Sequence, residues 1–159
     1  MMMTKLAALG LLTVAAGAVA AQTATQTVTF QVDPINQVGV TGAPVLHITT
    51  SVAGNAPASL TSSSSTLALT TNQTNAKITA TLSAPMPAGV TLSAVIAAPA
   101  GATSAGAQPL GTTAVDLLTA ITHVNASGLR LTYQLDATPA AGVVTSGTRV
   151  VTYTITGGV

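Results

Sequence analysis

The sequence predicts an all-β fold, an immunoglobulin-like antiparallel β-sandwich of seven to nine strands. Three observations carry this reading. Apolar residues recur at every second position in run after run, the period of a strand with one buried and one wet face. Thr supplies 27 of the 139 residues from Ala21 onward; like Val it is β-branched and suits a pleated backbone. Clusters of Pro and Gly separate the runs at regular spacing, as in sandwiches and barrels.

The chain opens with a segment that reads as a signal peptide, residues 1–20. Lys5 supplies the positive start, Leu6 to Val14 a short apolar stretch, and Ala18-Val19-Ala20 the small residues that a signal peptidase requires. The stretch is short and rich in Ala and Gly for a membrane span, and no later segment is long and apolar enough to cross. The expected product is a secreted protein, periplasmic, extracellular or at the cell surface, with one domain over residues 21–159.

The strands follow in order. Val28, Phe30 and Val32 alternate with Thr27, Thr29 and Gln31; Leu46 and Ile48 continue into Thr50 and Val52. Leu67 and Leu69, then Ile78, Ala80 and Leu82, then Val90, Leu92, Ala94 and Ile96 give three more runs. Leu129, Leu131, Tyr133 and Leu135 form the clearest one, and Val151, Tyr153 and Ile155 close the chain. Asp33-Pro34, Gly42-Ala43-Pro44, Gly54-Asn55-Ala56-Pro57, Pro85 to Gly89, Pro99-Ala100-Gly101, Pro139 to Gly142 and Ser146-Gly147 punctuate them, because Pro and Gly end ladders and supply tight turns. Thr113 to Ile121 fits either a short helix or an irregular strand. Ala97 to Gly111 reads as a long loop and Ser62 to Ser65 as a polar loop tip. Packing two sheets face to face is the simplest burial for these one-sided strands.

Composition excludes most chemistry. From Ala21 onward the charged residues are Asp33, Lys77, Asp116, Arg130, Asp136 and Arg149, and the chain has no Glu, Cys or Trp. Three acids balance three bases, so nothing attracts nucleic acid or anionic lipid. The two histidines, His47 and His123, come with no Gly-x-Ser-x-Gly elbow that would single out a serine nucleophile. The aspartates are isolated, which suits neither zinc nor calcium nor the paired acids of glycoside hydrolysis. We therefore expect no catalytic residue, no metal and no cofactor. Phe30, Tyr133 and Tyr153 are the only aromatic residues; each lies on the apolar side of its run, which favours core over sugar-stacking platform. Asn72-Gln73-Thr74 and Asn125-Ala126-Ser127 match the glycosylation sequon.

The edges of such a sandwich matter more than its side chains. Edge strands are commonly guarded by Lys or other charges, and here one Lys remains after the leader. Either the hydroxyls, amides and prolines keep a monomer soluble, or an edge is meant to pair with another copy. Thr23 to Val32 makes the second case concrete. It is either the domain's own first strand, the favoured reading, or an arm donated to a neighbour's sheet, with Val28, Phe30 and Val32 filling alternate pockets.

Two stretches carry a resemblance. Gly147-Thr148-Arg149-Val150-Val151-Thr152-Tyr153-Thr154-Ile155-Thr156 and Gln26-Thr27-Val28-Thr29-Phe30-Gln31-Val32 are similar to the closing and opening strands of secreted bacterial pilin-like and spore-coat-U-like proteins. The cysteines of those families are absent here, and Tyr153 is not next to last. The resemblance implies a surface or fibre component and brings no catalytic residue. The expected function is a non-catalytic structural or adhesive protein of the cell surface that can self-assemble through strand edges, with copies of itself or another surface protein as partners. The alternative is a monomeric binding module whose ligand meets loops such as Pro85 to Gly89 or Pro99 to Gly111.

Overall fold

In the computed structural model, which describes residues 21–158, every strand lies within one compact unit, Asp33–Val159, and residues 21–32 belong to the preceding one, Met1–Val32. The expected leader lies outside the described residues. The strands are β1 (Asn36–Thr41), β2 (Leu60–Thr71), β3 (Ala76–Leu82), β4 (Val90–Ile96), β5 (Thr103–Ser104), β6 (Gln108–Pro109), β7 (Val115–Ile121), β8 (Asn125–Ala137) and β9 (Val151–Thr156). They form two antiparallel sheets, β1-β2-β8-β4-β6 and β5-β7-β3-β9, the all-β sandwich that the period of two predicts.

The long strands β2 and β8 form the spine of the first sheet, and the register Leu67↔Leu129, Ser65↔Leu131 and Ile96↔Leu131 sets their apolar sides on one face. The second sheet is built on β3, where Ile78 pairs with Ile155 on one side and Leu118 on the other. Both sheets turn these residues inward: Leu67, Ile78, Ile96, Leu117, Leu118, Ile121 and Leu131 are almost completely buried. Burying each such side chain contributes about 1.5–3 kcal/mol, and the chain has no disulfide to add to it.

Three sequence expectations change, and one left open is settled. Ser62 to Ser65 is strand, inside β2, with a register shift that brings Ser65 opposite Leu131 and buries it; neighbouring strands supply the ladder that polar side chains do not forbid. Thr113 to Ile121 resolves as strand β7, irregular because a bulge against β3 buries the adjacent Leu117 and Leu118 together. The long loop 97–111 contains the two-residue strands β5 and β6. The run around Leu46 and Ile48 keeps its alternation, with Pro44, Leu46 and Ile48 half-buried and Val45, His47 and Thr49 exposed, but it joins no strand.

Candidate functional site: an open edge and an exposed arm

The two sides of the sandwich end differently. On one side the edge strands β5 and β6 have two residues each, and β6 contains Pro109. Hydrogen bonds lace that side shut: Ser104 Oγ donates across the sheets to the Ile96 carbonyl at 2.8 Å, Gln108 Nε2 to the Ala105 carbonyl at 2.7 Å, and Leu110 N to the Leu92 carbonyl at 2.8 Å. Short strands, proline and covering loops are how sheets blunt an edge.

On the other side the edges are β1 and β9, six residues each and neighbours across the two sheets. Neither contains a charge or a proline, and β9 pairs with β3 over its whole length without a register shift. Their inward residues are incompletely covered. Val38, Val151, Tyr153 and Ile155 pack on the core yet stay half-exposed, and Val40 is exposed. One strand beside β9 would cover this flank.

At the flank two phenols meet. Tyr133 on β8 and Tyr153 on β9 share a hydrogen bond of 2.5 Å between their hydroxyls, joining the two sheets. Burial pushes both phenols above the ordinary tyrosine range. The shared bond raises Tyr153 further and partly offsets the rise at Tyr133, so the rise is largest at Tyr153.

The residues singled out for strand donation form no strand. Residues 23–32 carry no strand, so the favoured reading as the domain's own first strand does not hold. Val28, Phe30 and Val32 are 73%, 89% and 76% exposed. Phe30 is therefore no core residue, unlike the buried Tyr133 and half-buried Tyr153. Three large apolar side chains at alternate positions of a ten-residue stretch are a costly exposure.

The groups with chemical potential are scattered. His47 and His123 are exposed, and among the described residues no three His, Cys, Asp or Glu side chains cluster as a metal site would require. The Asp136 carboxylate takes a short hydrogen bond from Ser59 Oγ and both Gln134 Nε2 contacts at 3.0 Å, and Lys77 meets Asp116 at 3.1 Å on the surface. An open cleft of about 450 Å³ lies between Pro85, Met86 and Val90 on one wall and Pro109, Leu110 and Val115 on the other. It joins the two loops that the binding-module alternative names. Of the sequons, the Asn72 amide is engaged in hydrogen bonds to the chain before β1.

Sequence reasoning found the arm and missed the edge that could receive it. The signal was present in the last strand, Val151-Thr152-Tyr153-Thr154-Ile155-Thr156, which offers no guarding residue; what was missing was its position at the end of a sheet. No protein-family model matches the chain, and no curated protein or solved structure matches it either.

Proposed function

We propose that this chain is a secreted, non-catalytic structural protein of the bacterial cell surface that assembles by strand donation. The arm of one copy, residues 23–32, adds to the β9 edge of another, beside β1. What supports this most is the pairing of two defects in a single chain: an apolar arm exposed at Val28, Phe30 and Val32, and a long, unguarded edge whose inner residues are half-covered. Each is the remedy for the other. The likeness of residues 26–32 and 147–156 to stretches of pilin-like and spore-coat-U-like proteins points the same way.

The magnitudes agree. Burying the three arm residues contributes about 5–9 kcal/mol in total, which falls within the association cost of about 4–15 kcal/mol. The apolar anchors alone do not decide the matter. A strand ladder along β9 adds about 0.5–1.5 kcal/mol for each main-chain hydrogen bond, and that surplus holds copies together. Arm and edge are different surfaces, so the contact is heterologous and repeats into a ring or an open filament.

The test is the size of the purified protein by light scattering after chromatography, with electron microscopy of large species, beside the variant Phe30→Asp. Filaments or regular oligomers that disappear in Phe30→Asp are expected. A wild-type monomer at micromolar concentration overturns the reading. It would then favour the second one, a monomeric binding module, for which the cleft between Pro85 and Val115 is the supporting observation.

A further inference from the structure

The arm joins the sandwich through Asp33-Pro34-Ile35, and one side chain holds both sides of that junction. Asn72, in the turn between β2 and β3, accepts a hydrogen bond from Ile35 N on Oδ1 at 2.7 Å and donates from Nδ2 to the Asp33 carbonyl at 2.8 Å. Its own main-chain N donates to the Ile35 carbonyl at 3.3 Å. Pro34, between the two clamped residues, has a fixed φ and no N–H, and it pushes Asp33 toward extended backbone.

Neighbouring residues hold the clamp itself. Thr71 Oγ1, buried, donates to Asn36 Oδ1 at 2.8 Å, and Asn36 Nδ2 donates to Gln73 Oε1 at 2.8 Å. Gln73 N donates to Thr71 Oγ1 at 3.1 Å. The chain leaving β9 passes close to the same cluster: a Cβ on Gly157 would stand 1.6 Å from Gln73 Oε1, so a larger residue there would displace the Gln73 side chain. The start of β1 and the β2–β3 turn are thus fixed to one another, with the end of β9 close beside them.

A rigid junction has a consequence for an arm that must pair with a sheet edge. The domain's own edge is present at far higher effective concentration than that of any other copy, and a flexible linker that spans the distance favours the intramolecular partner. We propose that Asn72 is a positioning residue that locks the Asp33–Ile35 junction, so that the arm is donated to another copy and not closed on its own domain. The inference rests on the strand-donation reading, and it names the device that directs it.

The experiment compares purified wild type with Asn72→Ala, Pro34→Gly and Asn36→Ala. It reads the assembled fraction, the melting temperature and protease cleavage within residues 21–32. Asn72→Ala is expected to lower the assembled fraction about tenfold, the factor set by one net hydrogen bond. Its monomer should keep the wild-type melting temperature and have an arm that resists protease, because the arm has closed. Pro34→Gly loosens the junction without touching Asn72 and should act in the same direction. Asn36→Ala, which weakens the support of the clamp without removing it, should cost stability and lower the assembled fraction less than Asn72→Ala does. If wild type and Asn72→Ala assemble equally, the clamp is overturned and strand donation stands. A monomeric Asn72→Ala whose arm stays protease-sensitive, or whose melting temperature falls as it does in Asn36→Ala, reduces Asn72 to a structural residue and overturns it too. A wild type that never assembles overturns strand donation itself, and the clamp with it.

Discussion

Tyr133 and Tyr153 join the two sheets by their hydroxyls, 2.5 Å apart, beside the edge where Val151 and Ile155 stay half-exposed. Tyr133 stands on β8, in the middle of the first sheet, and Tyr153 on β9, at the end of the second. The chain has only these two tyrosines. Their bond satisfies two phenols that burial would otherwise leave without a partner, and it ties the edge strand to the opposite sheet.

Removing one hydroxyl should cost more than removing both. Tyr133→Phe and Tyr153→Phe each leave a desolvated phenol unpaired, a loss of about 1–3 kcal/mol. The double variant replaces both partners by rings of the same shape and should recover part of that loss. Urea unfolding of the four proteins checks this, and strictly additive losses would show that the two hydroxyls act independently.

The same pair predicts loss of stability in alkali. Both phenols sit above their unfolded value of about 10 in the native state. The native state therefore keeps protons that the unfolded chain gives up. Stability is full below about pH 10 and falls as pH rises above it. In Tyr153→Phe the slope should fall without vanishing, because Tyr133 stays buried and loses the bond that offsets its rise; melting temperatures measured from pH 8 upward test it.

Gly89 and Gly106 should respond differently to the same change. Both have positive φ, +77° and +76°, but a Cβ on Gly89 would lie 2.7 Å from Ala141 N, whereas Gly106 faces open space. Gly106→Ala should cost about 1–2 kcal/mol, the left-handed backbone penalty alone. Gly89→Ala adds the displacement of the Pro139–Ala141 turn and should cost about 1–3 kcal/mol more. Chemical denaturation of the two variants separates backbone strain from collision.

Leu131 and Phe30 test the division between core and arm. Leu131 is 0% exposed and Phe30 is 89% exposed. Leu131→Ala should lose about 2–5 kcal/mol by deleting packed atoms. Phe30→Ala should leave the melting temperature of a monomer unchanged and lower only the tendency to assemble. A destabilised Phe30→Ala monomer would mean that the arm packs within its own domain.

The strands with strict alternation were readable from composition and period. Leu129, Leu131, Tyr133 and Leu135 occur on β8, and Val151, Tyr153 and Ile155 on β9, as their spacing predicts. Where neighbours override local pattern, the reading failed. Ser62 to Ser65 looks like a loop tip because serine is a turn former, yet flanking strands hold it in β2. Thr113 to Ile121 was ambiguous because a bulge puts Leu117 and Leu118 on the same side, which erases the period of two. The Asn72 clamp left no trace at all, since its partners lie 37 and 39 residues away.

By itself the sequence determined the class of fold, the placement of most strands, the scarcity of chemically active side chains and the apolar face of the arm. These are local properties, carried by a period of two and by residue type. Only the tertiary structure decided that β5 and β6 close one side of the sandwich while β1 and β9 leave the other open, and that Val28, Phe30 and Val32 stay outside the core. Strand pairing joins residues far apart in the chain, and alternation is the same whether a strand lies in the middle of a sheet, at its edge or in no sheet at all.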